Sequence, residues 1–571
     1  MMVYLGRATL FATMAILAAT SGRCAIADDQ AQTGATAAKP IAVLAVASVE
    51  EVLNDIAYVT ETAGQGDMGK MIALLSGGYT RGVDKKRPMG LVVTIPEDEP
   101  KAFAFLPVKN LNTILEGLEE QIGKPEDAGN GILELGGNAG NPVYVREANG
   151  WAFIAQKAND LETLPNFDPA AVVADLTKNY TIGMRINVSN IPAEMKKVAV
   201  AQLKSQFERQ LAEQLENQPE DQRALSERYM RTMLTQLTSF IEDTEHVAAG
   251  LQIDSQAKET HVDFALVARP NTKLAAQMDL LNGMTSLHGG FLTPDGAVNG
   301  HTASRMSDED VTLYQDILKT ARENALKEIE TDEDIETEEA RKIARDVVNA
   351  LFDVAQATVA AGKVDAGATL FLSPEGRANL VAGGTVKDAK RLEETFKKLV
   401  EAAKDEPKAP KVTFDADQHS GMRFHTMSLP IEAKEEEARK LFGENLDVAI
   451  GFGDESVYVA FGPDGLATTR RLLDDSEELR SNVVPPGQFI VALGPILKFA
   501  AAVKDDPVIA ALAATLDNNP NPDHNRIAIK AQSVENGVRY RLEVEQGVLE
   551  LIGAAMKMSN RGGNDPLPDF F

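Results

Sequence analysis

The sequence predicts an α+β protein of two tandem, duplicated domains, each an antiparallel sheet packed against helices, with a long helical hairpin inserted in the first. Three observations predict it. Strict alternation of apolar and polar positions marks half-buried antiparallel hairpins. Apolar stripes at helical spacing mark amphipathic helices between them. The order of these elements then recurs along the chain with nearly the same shift at both ends.

The chain opens with Arg7, an apolar run from Ala8 to Ala19 and the small-x-small triplet Ala25-Ile26-Ala27. This reads as a secretory signal over 1–27, cut after Ala27. Ser21, Gly22 and Arg23 stop the run short of the roughly 20 apolar residues a spanning helix needs. Cys24 is the single cysteine, and Arg23 before it does not suit a lipobox. Cleavage would leave no thiol and no disulfide, as in a bacterial envelope protein stabilised by ordinary cores. Residues 28–44 are expected to be a flexible segment. Residues 45–303 form the first α+β repeat, 304–559 the second, and 560–571 a loose Gly- and Pro-rich tail.

The repeat starts at Val92-Val93-Thr94-Ile95-Pro96-Glu97. A shift of 278 carries it onto Leu370-Phe371-Leu372-Ser373-Pro374-Glu375. The helix that follows keeps its face, with Ile114, Leu118 and Ile122 falling on Leu392, Phe396 and Val400. Its N-cap is expected at Asn110 in one copy and Asp388 in the other. Gly383 and Gly384 make the second segment less strand-like in the later copy. The hairpin Val143–Val145 and Trp151–Ala155, turning at Glu147–Gly150, matches Ala449–Phe452 and Val457–Phe461 at a shift of 306. Leu251 to Ala268 matches Ile527 to Val544 at a shift of 276. Two opposite insertions account for the drift. One lies around Glu432–Phe442. The other is the helical hairpin 192–247, whose stripes are Leu203, Phe207, Leu211, Leu215 and Leu225, Tyr229, Met233, Leu237, Ile241. Met306 to Gly362 is helical and acidic and mirrors the shorter helical region Val49 to Ser76. Phe489 to Val503 reads as a strand followed by a buried helix.

Candidate chemistry is sparse. Gly64-x4-Gly69-Lys70 has phosphate-loop spacing, but Met71 stands where that loop needs Ser or Thr. Asp332, Asp334 and Glu336 alternate like calcium ligands, but Thr337 replaces the glycine an EF-hand loop requires. Asn518 to Asn525 reads as a turn. The histidines are His246, His261, His288, His301, His419, His425 and His524. None lies in a metal-binding spacing, although His419 and His425 flank a hairpin turn and could approach each other. Trp151 is the single tryptophan and is expected to pack. Hence no catalytic, cofactor-binding or metal-binding residue is nominated, and no cofactor is expected. A triad assembled from distant positions stays open.

The formal net charge of −28 disfavours nucleic acid and anionic lipid headgroups and favours basic partners. No segment after the leader is apolar enough for an integral membrane span. Arg87-Pro88-Met89-Gly90, Phe105-Leu106-Pro107-Val108 and Gly150-Trp151-Ala152-Phe153-Ile154-Ala155 resemble a group of uncharacterised secreted proteins of planctomycete-type bacteria. That resemblance implies export and bacterial origin and carries no activity. The expected function is therefore an exported, non-catalytic envelope or extracellular binding or scaffold protein, periplasmic or extracellular, for an unknown protein or small-molecule partner. The alternatives are a carrier of an apolar small molecule or lipid in a sheet–helix cavity, and a hydrolase with an unrecognised triad.

Overall fold

The computed structural model describes residues 39–96, 99–136, 142–164, 168–216, 220–333, 335, 337–404, 409–432, 434–517 and 524–561. The leader lies outside the described residues, as do Asp334, Glu336, most of Asn518–Asn525 and the tail after Arg561.

The first half runs β1 Pro40–Val46, α1 Val49–Thr62, α2 Gly66–Tyr79, β2 Met89–Thr94, β3 Lys101–Pro107, α3 Leu111–Ile122, β4 Glu126–Gly129, β5 Ile132–Leu135, β6 Val143–Ala148 and β7 Trp151–Ala155. It continues with α4 Pro169–Thr177, β8 Ile182–Ile186, α5 Ala193–Glu216, α6 Glu220–Asp243, β9 Thr244–Asp254, β10 Glu259–Ala268 and α7 Lys273–Asp279. The second half runs β11 Val298–Arg305, α8 Asp308–Thr331, α9 Glu338–Ala360, β12 Lys363–Leu372, β13 Ala378–Thr385, α10 Ala389–Ala403, β14 Lys411–His419, β15 Met422–Pro430, α11 Glu436–Phe442, β16 Asn445–Phe452 and β17 Ser456–Phe461. It ends with α12 Gly465–Leu479, β18 Gly487–Ala492, α13 Leu493–Val503, α14 Pro507–Asp517, β19 Arg526–Val534, β20 Gly537–Glu545 and α15 Gln546–Arg561.

All these strands join one antiparallel sheet. In the first half the lateral order is β4-β5-β6-β7-β3-β2-β1-β8-β9-β10. In the second it is β14-β15-β16-β17-β13-β12-β11-β18-β19-β20. The halves meet strand to strand, β10 against β20.

In the first half one sheet face packs under α4, and the opposite face, at Val145 and Ala152, packs under Leu111, Ile114 and Leu115 of α3. Val43, Val92 and Phe103 lie under Val173 and Leu176 of α4. Val381, Phe424 and Tyr458 lie under Leu472 and Leu473 of α12. Among the described residues no helix is long and apolar enough to cross a membrane.

Several expectations are corrected. Pro40 to Leu44, expected to be flexible, is strand β1, because this apolar stretch is paired on both sides by β2 and β8. The 192–247 hairpin gives way to β9 at Thr244. Asn110 caps α3 by accepting from the Thr113 N–H at 3.1 Å, but Asp388 sits at φ 60 and its side chain does not cap. Gly383 and Gly384 do not interrupt β13. The Tyr458 ring lies where a Cβ on Gly383 would stand, so the glycine admits an aromatic ring onto the sheet. The shift of 278 slips by one in β12. Val92 is buried and pairs with Phe103, and the buried residue that pairs likewise with Val381 is Thr369, not Leu370.

Candidate functional site

The site begins with the strand ladder. Ile182 of β8 pairs with Leu251 of β9, and Leu251 with Val262 of β10. Val262 pairs with Leu542 of β20, Leu542 with Ile529 of β19, and Ile529 with Phe489 of β18. Directly paired residues of an antiparallel ladder share a face, so these six form one apolar row across the join. At about 4.8 Å per strand the row is roughly 24 Å long. Ile182, Val262, Leu542 and Phe489 are 39, 44, 38 and 41% exposed, and none of the six belongs to a buried core cluster. Full burial of such a side chain stabilises by about 1.5–3 kcal/mol, so the row holds binding energy that the fold leaves unused.

The row has a covered counterpart. In the β10–β20 ladder Phe264 pairs with Tyr540. Exchanging the strands about that pair carries Leu266 to Leu542, Val538 to Val262 and, through the hairpin ladders, Val247 to Ile529. Leu266 and Val538 are only 5 and 2% exposed. Leu274, Ala275 and Met278 of α7 and Phe240 of α6 pack on them. The cause is the connection. After β10 the chain turns at Arg269-Pro270-Asn271-Thr272, with Asn271 at φ 62, and Thr272 caps α7 back over the sheet. After β20 the helix α15 starts at once at Gln546 and joins Leu497, Leu512 and Leu516 in a separate cluster. The same sheet position is roofed by a short helix once and left open once.

One end of the open row is acidic. Thr181, next to Ile182, donates its hydroxyl to Asp55 Oδ2 at 2.6 Å. Burial raises the pKa of Asp55, and burial followed by repulsion from Asp55 raises that of Glu51. Neither carboxylate has an ion-pair partner among the described residues.

The residues singled out from sequence are scattered. Gly69 and Lys70 lie inside α2, so no phosphate loop exists. Gly69 lacks a Cβ because Thr60 of α1 occupies that space, and Lys70 pairs with Asp67 at 3.3 Å. Trp151 is buried edge-on to Phe105 at 5.4 Å, with Arg87 over its ring at 4.0 Å. His419 and His425 do not meet. His419 Nε2 lies 2.7 Å from Asp474 Oδ1 beside the turn Ser420–Gly421. Ser420 Oγ approaches that same carboxylate and not the ring, so no nucleophile–base pair forms there.

His425 is fully buried among Phe396, Phe414 and Phe452. With Glu393 and Asp415 it offers three ligand atoms within 4.8 Å of one another. No spacing in the sequence announces this cluster; the irregularity between Thr413 and Asp417 brings Asp415 to the ring. The donor set does not suit a cation. The Asp415 N–H donates to Nδ1 at 2.9 Å, so Nε2 carries the proton and faces Glu393 at 3.2 Å. Burial pushes the Glu393 pKa up, but bonds from Arg423 and Lys397 outweigh this and hold it at about 2. The carboxylate is already neutralised by two cations.

A second polar cluster lies under α12. Asp365 accepts from Ser286 Oγ at 2.5 Å, the Leu287 N–H at 3.0 Å and Lys363 at 3.2 Å. His288 and His301 are buried nearby, and none of their ring nitrogens has a hydrogen-bond partner among the described residues. Burial, and then His301 and Lys363 against the opposing pull of Asp365, lower the His288 pKa to about 4.

Apart from the sheet row, an apolar groove of about 420 Å³ is lined by Tyr314, Leu318, Leu351, Val354, Val386 and Leu392 among others. A polar recess of about 300 Å³ lies at Gln418–Arg423. Both are open to solvent. The chain matches no family model, no curated protein and no solved structure.

Proposed function

We propose that this chain is an exported, non-catalytic binding protein that seats a short amphipathic helix of a protein partner on the open row Ile182–Leu251–Val262–Leu542–Ile529–Phe489. The single observation that carries this reading is the roofed counterpart, where α7 lies on Leu266 and Val538. A sheet position that accepts Leu274, Ala275 and Met278 on one side of the join offers the same shape and chemistry on the other. A helix is about 10–12 Å across, and the open row is longer than that. The unpaired carboxylates Glu51 and Asp55 favour a basic residue at the Ile182 end. The net charge of −28 favours basic partners generally.

We also propose that the two halves arose by duplication of one α+β unit. Their matching strand orders support this. The hairpin α5–α6 would then be the enlarged form of the shorter pair α13–α14. Export rests on the leader-like residues 1–27, and the resemblance to secreted planctomycete-type proteins points the same way.

The test uses a fluorescent peptide of residues 269–284, which contains α7 and its cations Arg269 and Lys273. Purified chain should bind it in a saturable anisotropy titration. Val262→Asp or Leu542→Asp should weaken binding at least tenfold, and Asp55→Asn by a few-fold. Affinity unchanged by Val262→Asp would overturn the reading. Peptide binding that appears only after deletion of 562–571 would make the tail the resident occupant and also overturn it. Tight binding of a long-chain fatty acid with no peptide binding would favour the carrier alternative.

A further inference from the structure

Helix α2 carries a second apolar surface, remote in kind from the sheet row. Its sequence is GDMGKMIALLSGGY, with Asp67 and Lys70 as its only charges, paired to each other. Gly69 faces inward against Thr60. Met68, Met71, Leu75 and Tyr79, at i, i+3, i+7 and i+11, share the outward face with Leu74 beside them. All five are exposed, and Leu74 is 79% exposed. The helix in the same serial position of the second half, α9, instead carries Glu338, Glu339, Arg341, Lys342 and Arg345. Exposed apolar helix faces of this kind mark interaction surfaces.

The chain leaving α2 is basic. Arg81, Lys85, Lys86 and Arg87 follow within a few residues, and segment 66–87 holds three more cations than carboxylates. Among the described residues Arg81, Lys85 and Lys86 form no ion pair. This positive segment stands in a chain of net charge −28. With a Debye length of about 8 Å at physiological ionic strength, a surface touching the end of α2 senses these three cations together with the carboxylates of the adjoining helix α1, Glu50, Glu51, Asp55 and Glu61, and little of the more distant charge.

An apolar helix face followed by unpaired cations fits the interface of an anionic bilayer. At 14 residues, or about 21 Å, α2 is too short to cross a hydrocarbon core of about 30 Å. It can only lie in the plane. We propose that α2 docks on an anionic membrane surface, with Met68, Met71, Leu74, Leu75 and Tyr79 among the acyl chains and Arg81, Lys85 and Lys86 on headgroup phosphates. This surface is independent of the sheet row.

The test is cosedimentation of purified full chain with vesicles of phosphatidylglycerol and phosphatidylcholine, and with phosphatidylcholine alone. The expected result is binding to the anionic vesicles that weakens in high salt. It should fall at least tenfold in Leu74→Glu/Leu75→Glu and in Lys85→Glu/Lys86→Glu. These positions are solvent-accessible, and a circular dichroism melt verifies that each variant folds. No binding to anionic vesicles, or equal binding by wild type and both variants, overturns the proposal. So does a wild-type dimer that becomes monomeric in Leu74→Glu/Leu75→Glu without loss of vesicle binding, which would make the face a contact with a second copy.

Discussion

Phe264 of β10 lies directly opposite Tyr540 of β20, and each is paired on its other side with an alanine, Ala249 and Ala531. Two aromatic residues in like places of two hairpins thus meet at the centre of the join. One ladder position away, Asp263 is buried and accepts from Arg541 Nε at 2.7 Å and Nη2 at 2.8 Å, and from Tyr180 Oη at 2.9 Å. Asp263→Ala leaves Arg541 without its partner. Breaking a fully buried pair costs about 3–5 kcal/mol. Because the Arg541 side chain stays 21% exposed, we expect about 2–3 kcal/mol in a urea melt. Removing Arg541 as well should recover part of that loss. Burial pushes the Asp263 pKa up, but the Arg541 and Tyr180 bonds bring it below the ordinary carboxylate value. Its contribution is therefore complete above the unfolded pKa of about 3.9 and is lost as pH falls through the lower folded value.

Val262 and Val538 are exchanged by the join but differ in cover, 44 against 2% exposed. Val538→Asp buries an unpaired carboxylate against α7 and should cost about 4 kcal/mol or more. Val262→Asp should stay within about 0.5–1 kcal/mol, as an exposed substitution does. Equal losses in thermal or urea melts would show that both rows are covered.

His288 and His301 give a pH signature. Both are lowered by burial, so the unfolded chain takes up protons first as pH falls. Stability is complete above the unfolded value of about 6.5 and declines toward the folded value, about 4 for His288. Each histidine contributes a slope of up to about 1.4 kcal/mol per pH unit in that window. His288→Leu should flatten the fall of the urea midpoint between pH 6.5 and 4.5. His246 and His425, shifted in the same direction, leave a residual slope. An unchanged slope would contradict the assignment.

The cluster Glu393, Asp415 and His425 should ignore metals. Zinc ions or a chelator should leave the melting temperature unchanged, because Arg423 and Lys397 already neutralise Glu393. Glu393→Gln should cost about 1–2 kcal/mol, reduced from the buried-pair range because both cations keep substantial exposure. A zinc-dependent rise in melting temperature that Glu393→Gln abolishes would show a metal site there.

Local pattern carried much of this fold. The alternation in Leu251–Ala268 and Ile527–Val544 identified both hairpins, since each has one apolar face. The switch from β18 to α13 was legible in Phe489–Val503 as an apolar run broken by Pro495 and Lys498 and too short to span a membrane. The pairing of β10 with β20 was not, because it joins strands distant in sequence and nothing local announces an edge partner. The open row was equally hidden. Its residues alternate like any half-buried strand, and only the placement of α7 and α15 decides which row is covered. One signal was present: Arg269-Pro270-Asn271-Thr272 is a turn and cap, while Glu545-Gln546 has neither. The Glu393–His425 contact depends on the irregularity in β14, which no residue spacing reveals.

A partner helix seated on the open row would shield Val262, Leu542 and Phe489 from solvent. Photoactivated carbene labelling, read residue by residue by mass spectrometry with and without the 269–284 peptide, tests it most directly. The expected result is strong labelling of Val262, Leu542 and Phe489 in the free chain, loss of that label when peptide saturates, and little label on Leu266 or Val538 in either state. Label on Val262 and Leu542 that stays the same with peptide bound would contradict it.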